Sequence, residues 1–251
     1  MKPDYGLDAP GVVRNLFVAG ALALALPASV ALGLWSGVVG PLYLAPMGLA
    51  AGLSLTLTGA WMVYHSKVGK ARARERLLNR LAWRGDEAVL DVGCGRGLLL
   101  VGAAKRLTTG KATGIDIWQA EDLSGNRPEA TLENARREGV ADRVEVRTAD
   151  MRQLPFADGS FDLVLSRAAI HNLYNAADRE KAITEIARVL KPGGRALIND
   201  IRHAGEYART FAAHGCPEVR ELGSPALSFL AMLFTMGSVR PTTLEARKPG
   251  G

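Results

Sequence analysis

The stretch Asp91-Val92-Gly93-Cys94-Gly95-Arg96-Gly97 stands between a short apolar run, Ala88 to Val92, and the leucine-rich Leu98 to Val101. That order reads as a strand, a glycine-rich turn and the start of a helix. Glycine takes positive φ at little cost and lets a backbone come close to a ligand. A helix start offers unpaired N–H groups to a polar or anionic group. By itself such a turn also serves dinucleotides or mere tight packing. Its surroundings decide.

Downstream, strand and helix patterns alternate, the sign of a parallel sheet with crossover helices. Strands are expected at Ala88 to Val92, Ala112 to Ile117, Arg143 to Thr148, Phe161 to Ser166 and Arg195 to Ile201, then two short ones at Glu218 to Leu222 and Thr242 to Arg247. Helices are expected after Gly97, from Asn126 and Pro128 to Gly139, from Ala177 to Leu190 and near Glu206 to His214. Asp116 ends the second strand, where a carboxylate can accept both ribose hydroxyls of a nucleotide. That spacing does not separate S-adenosylmethionine from NAD. Asp150 follows the third strand, placed to take an adenine amino group. Asp158-Gly159-Ser160-Phe161-Asp162-Leu163-Val164 leads into the fourth strand, and Leu190-Lys191-Pro192-Gly193-Gly194 precedes the fifth.

On these motifs, from roughly Leu81 to Ile201, the chain resembles the class I methyltransferases, in the branch with small-molecule and lipid acceptors. The resemblance implies an α/β, Rossmann-like, mostly parallel sheet of seven strands, the last antiparallel, with helices on both faces. It implies S-adenosylmethionine as methyl donor. Carried over by position, Asp91, Gly93, Cys94, Gly95 and Gly97 surround the methionine part. Asp116 and Ile117 hold the ribose and flank the adenine, Asp150 and Met151 read the adenine edge, and Ser166 lies beside the sulfonium end. Residues after the fourth strand, Arg167 to Tyr174, face the acceptor in that family. His171 is therefore the candidate base or orienting group, with Asp200 and His203 after the fifth strand as further candidates. Methyl transfer needs a base only where the acceptor must lose a proton. A nucleotide-dependent oxidoreductase and a non-catalytic membrane protein that binds the same cofactor are the alternatives. The four histidines, His65, His171, His203 and His214, lack the close pairing of metal ligands, so no metal is expected.

The remaining part of the chain is unlike this one. Between Arg14 and Lys67 there is no Asp, Glu, Lys or Arg. Leu16 to Trp35 and Leu42 to Tyr64, separated by the turn Ser36 to Pro41, are each long enough to cross a membrane, which takes roughly 20 residues. Pro27 is expected to kink the first helix, and Trp35, Tyr43, Trp61 and Tyr64 to sit at the interfaces. A cleaved signal peptide is the lesser reading, because a second apolar segment follows. Lys67, Lys70, Arg72, Arg74, Arg76, Arg80 and Arg84 face only Glu75, so the formal +6 of the whole chain resides in this one segment. A basic collar beside an apolar segment suits a membrane surface and places both termini in the cytoplasm; nucleic acid is not an expected partner. The expected organisation is a membrane hairpin over 1–66 with its anchor at 16–64, a basic amphipathic linker helix over 67–84 and a cofactor-binding domain over 85–251. Tyr64, Ser66 and Lys67 are candidates to line an entrance, and the apolar segment Pro225 to Met236 to pack, dip into lipid or cover an acceptor. Together these features point to a small or lipid-like acceptor. Two cysteines, Cys94 and Cys216, suit a reducing compartment. Oligomeric state is left open.

Overall fold

The structure is a computed structural model that describes residues 2–34, 40–223 and 240–250, with backbone only at 40–43. Trp35, the Tyr43 side chain, most of the expected turn and the segment 225–236 lie outside the described residues. The chain divides into two compact units, one of Met1–Asp4, Arg74–Trp118 and Arg127–Gly251, the other of Tyr5–Ala73 and Gln119–Asn126. The expected boundaries at 66 and 84 therefore differ from the packing. The residues before Tyr5 and the second half of the expected linker pack with the sheet, and the loop 119–126 packs with the hairpin.

In the larger unit the strands are β1 (Ala88–Val92), β2 (Lys111–Asp116), β3 (Val144–Thr148), β4 (Phe161–Arg167), β5 (Leu190–Asp200), β6 (Glu218–Leu222) and β7 (Thr242–Arg247). They form one seven-stranded sheet in the order β3-β2-β1-β4-β5-β7-β6. The first five pair in parallel, and β7 runs antiparallel to both β5 and β6. This is the expected sheet. β1 and β4 are buried almost throughout, as strands covered on both faces must be. One face carries a core of Leu77, Leu78 and Leu81 with the helix α4 (Leu98–Ala104). The other face carries the core of α6 (Ala176–Val189) and α7 (Ala204–Ala213). Between β2 and β3 lies α5 (Pro128–Arg137), with Pro128 in its first turn and Gly139 in the left-handed region beyond its end. β5 starts five residues earlier than expected. Leu190 already pairs with Phe161, and Lys191 to Gly194 form an irregularity in the strand rather than a separate turn.

In the smaller unit α1 (Pro10–Ala31) continues through Pro27, and α2 is Gly40–Tyr64. The two helices run antiparallel and approach closely through small residues. A Cβ on Gly20 would lie 3.3 Å from the Gly52 carbonyl oxygen, one on Gly48 2.8 Å from that of Ala23, and one on Gly59 3.2 Å from the Phe17 ring. A single antiparallel bridge joins Asp8 to Leu123. Both helices are long and apolar enough to cross a membrane by length and composition, with 11% of each apolar window buried. After a π-helical turn at His65–Gly69 comes α3 (Lys70–Leu78), shorter than the linker helix expected over 67–84. The basic collar also needs correction. Lys70 is buried, its Nζ donating to the Tyr5 carbonyl at 2.7 Å and to the Asp8 carboxylate at 2.9 Å. Arg74 is buried too, paired with Glu75 and Glu138. A desolvated cation needs such partners. Lys67, Arg72, Arg76, Arg80 and Arg84 remain exposed.

Candidate active site

The carboxyl ends of parallel strands are where α/β sheets place their sites. Here those ends also concentrate backbone strain. Four non-glycine residues among those described have positive φ; three of them, Trp118, Ala168 and His203, follow β2, β4 and β5 within three residues. Left-handed backbone at a residue with a Cβ costs about 1–3 kcal/mol and persists where surrounding structure imposes it.

The glycine loop has Gly93, Gly95 and Gly97 at φ of 71°, 52° and 83°. A Cβ on Gly93 would collide with the Ala169 Cβ and come within 3.7 Å of Met151 Cε, so the ends of β1, β3 and β4 converge on that glycine. A Cβ on Gly97 would lie 2.9 Å from Thr131 Cγ2. The Gly95 N–H donates to Asp116 Oδ2 at 2.8 Å and the Trp118 N–H to Asp116 Oδ1 at 2.6 Å. Ile117 beside it is half exposed, an apolar face at the strand end. A narrow glycine cradle, a fixed carboxylate and an apolar flank suit the sugar and base of a nucleoside ligand.

Three expected ligand residues have different duties. Asp91 is buried and its Oδ2 accepts the Leu100 N–H of α4 at 2.8 Å; burial pushes its carboxyl up to about 7. Its side chain pins α4 to β1. Cys94 is buried with its Sγ against Gly114, where a Cβ would stand 2.8 Å away, and burial raises its thiol well above the usual range. Only its backbone belongs to the loop surface. The Ser166 hydroxyl, 1% exposed, donates to the Val92 carbonyl at 2.8 Å and ties β4 to β1. These side chains turn inward because their strands are covered on both faces. Asp150 is on the surface with the Arg152 guanidinium 2.6 Å away, which holds it below the usual carboxylate range.

The other half of the rim is a charged network. The Asp200 carboxylate, 3% exposed, accepts from the His171 backbone N–H at 3.1 Å, the Ile201 N–H at 2.8 Å and the Tyr207 hydroxyl at 3.3 Å. The His171 Nδ1 lies 2.5 Å from Asp200 Oδ1. The three expected residues are thus close neighbours, with His203 Nδ1 3.5 Å from Glu206, and burial lowering its pKa ahead of the Arg179 charge. Sequence reasoning missed Arg179. This buried guanidinium reaches the Leu173 carbonyl at 2.8 Å, the Tyr174 carbonyl at 3.1 Å and both Glu206 oxygens at 3.0 Å. It fastens the loop that carries His171 to the first turn of α7. No local signal marks Arg179, which looks like one more charge on an amphipathic helix.

Residues 90–198 match a family model described as a methyltransferase domain. The methyltransferase GfsG of Streptomyces halstedii is 39% identical over 130 residues, covering 52% of this chain and 43% of that protein. The 27-O-demethylrifamycin SV methyltransferase of Amycolatopsis mediterranei (strain S699) is 32% identical over 177 residues, 69% of this chain and 60% of that protein. The chain thus spans about half the length of these relatives. Among solved structures, a geranyl diphosphate methyltransferase in complex with SAM aligns with a TM-score of 0.54 and 21% identity, over 71% of this chain and 85% of that one. That likeness is one of fold.

Proposed function

We propose that residues 90–198, which match a methyltransferase domain model, form a class I, Rossmann-like domain that binds S-adenosylmethionine, and that the chain is a membrane-anchored enzyme that methylates a small, apolar or lipid-like acceptor. The observation that carries the second half is the hairpin. Leu22, Met47, Leu57 and Trp61 are each at least 64% exposed on helices of membrane-crossing length. Apolar surface in water is unfavourable by about 25 cal/mol per Å², and a bilayer removes that cost. The anchor is the stretch 16–64. Exposed Lys67, Arg72, Arg76 and Arg80 favour the cytoplasmic side for the domain and both termini. A relative named for methylation of a demethylrifamycin agrees with a small organic acceptor. The family match of residues 90–198 favours this reading over an oxidoreductase.

When bound, S-adenosylmethionine would supply a methyl group carried on its sulfonium sulfur, with the thioether S-adenosylhomocysteine as the leaving group. In this reading Asp116 would hold the ribose hydroxyls, Ile117 would flank the adenine, Asp150 and Met151 would read its edge, and the glycine loop would surround the amino-acid part. Transfer is in line, so alignment and exclusion of water supply much of the rate. Asp200 takes the proton side of His171 Nδ1 and thereby leaves Nε2 as the accepting nitrogen. That nitrogen orients a hydroxyl or acidic carbon acceptor and takes its proton as the new bond forms. Membranes containing the protein, incubated with methyl-labelled S-adenosylmethionine, are expected to yield label that extracts into organic solvent. Label confined to protein or the aqueous phase sinks the lipid-like acceptor. Tight S-adenosylhomocysteine binding with no transfer to any fraction would instead favour a non-catalytic binding protein.

A further inference from the structure

We infer that the residues ahead of the hairpin, Lys2 to Asp4, are part of the cofactor site, acting as a clamp on the outside of the glycine loop. This rests on the cofactor reading above and concerns residues outside the matched stretch 90–198.

Three left-handed glycines make a loop with no regular hydrogen-bond ladder, so its shape depends on what grips its carbonyls. Helix α5 supplies two grips one turn apart. The Thr131 hydroxyl donates to the Gly95 carbonyl at 2.6 Å, and the Asn134 amide donates to the Arg96 carbonyl at 2.9 Å. Asn134 is 1% exposed, and its amide is shared with the amino-terminal arm. Its Nδ2 also donates to the Asp4 carbonyl at 2.8 Å, while its Oδ1 accepts the Asp4 N–H at 2.9 Å. One buried amide therefore reads the backbone of the arm as a strand partner would, and the backbone of the loop with its remaining proton. The arm returns a second contact, because the Asp4 carboxylate accepts from Arg96 Nη2 at 3.1 Å. Arg137, further along α5, holds the Lys2 carbonyl at 3.3 Å. Loop, arm and α5 thus close a ring of bonds around Arg96.

Without the arm, Asn134 keeps the loop carbonyl but loses two partners in a buried place, and Arg96 loses its carboxylate. Buried polar groups left unpaired favour other loop conformations, and each competing conformation reduces apparent affinity in proportion. Lys2 to Asp4 are thus positioning residues, acting on the cofactor through the loop and not by touching it.

The test is titration calorimetry of S-adenosylhomocysteine into the full chain in detergent, with melting temperatures of the ligand-free proteins. Removal of residues 2–4 is expected to weaken binding about tenfold or more, and Asp4→Ala about threefold, with Asp4→Glu within about twofold of the parent. Melting temperatures are expected to stay within about 2 °C, since few apolar contacts are lost. Undiminished affinity after removal of the arm overturns the inference. So does a loss that follows a lowered melting temperature and is not rescued by Asp4→Glu, the mark of a merely structural strap. If the shortened chain does not fold, Asp4→Ala against Asp4→Glu decides. A parent chain that binds no S-adenosylhomocysteine overturns the cofactor reading itself, a different result from the arm failing alone.

Discussion

The two halves of the rim solve the same problem, holding a ligand-facing backbone in strained conformations, by different means. At the ends of β1 and β2 the positive φ values fall mostly on glycines, and the ligand-facing surface is backbone with one carboxylate. At the ends of β4 and β5 they fall on Ala168 and His203, and a network of Asp200, His171, Arg179, Glu206 and Tyr207 holds them. The first half tolerates strain by omitting side chains. The second offsets it with charge-assisted hydrogen bonds, each worth about 1.5–3 kcal/mol.

If the glycine half depends on missing side chains, Gly93→Val should have the largest effect. Its side chain would strike Ala169 in a left-handed backbone position. Loss of S-adenosylhomocysteine affinity of about 1000-fold or more, near 4 kcal/mol, is expected by calorimetry. Retained affinity would show that the cradle is not the binding surface.

Asp91 separates structural duty from ligand duty within that half. Burial holds its carboxyl at about 7, against a usual value of 3.8. Above pH 4 the unfolded chain has released this proton while the folded chain retains it. Stability therefore declines by about 1.4 kcal/mol per pH unit up to roughly pH 7 and then levels off. Asp91→Asn removes that slope and can still accept the Leu100 N–H. Denaturant titrations should find the variant gaining on the parent between pH 4 and 7, by on the order of 3 kcal/mol. A difference independent of pH would mean that Asp91 is ionised in the fold.

In the charged half, Asp200→Asn keeps the shape of the side chain and removes the charge that holds His171. Turnover is expected to fall about 100-fold with S-adenosylhomocysteine affinity little changed. An equal loss of affinity would erase the distinction between the two halves. The smallest effect is expected at Arg179→Lys, which keeps the charge but cannot reach both loop carbonyls and Glu206 together. A roughly tenfold fall in turnover with a raised KM is the expected kinetic signature. Full activity would show that the acceptor loop is held without it.

Much of the glycine half was legible because its demands are local. Gly93, Gly95 and Gly97 mark backbone conformations that other residues resist, and Asp116 follows at a spacing that a crossover helix imposes. Asp158 to Val164 and Leu190 to Gly194 were equally legible, yet Asp162 and Lys191 pair 2.7 Å apart at the amino ends of the strands, away from the rim. They identify the fold by stabilising it. Side-chain direction was not legible. Asp91 and Ser166 occupy the expected strand ends and Cys94 the expected loop, all with their side chains turned into the core. Nor was the fate of the basic segment, where Lys70 and Arg74 are buried against acidic partners far away in the chain.

The sequence by itself determined the alternation of strands and helices, the glycine loop, and two uncharged stretches of membrane-crossing length, because periodicity, missing side chains and missing charge are properties of neighbours. Only the tertiary structure decided that His171 leans on Asp200, that Arg179 grips the loop that carries His171, and that Asp4 belongs with Arg96 and Asn134. Those pairs lie 29, 6, 92 and 130 positions apart. Hydrogen bonding and charge act over a few ångströms of space, and the fold alone sets which distant residues come that close.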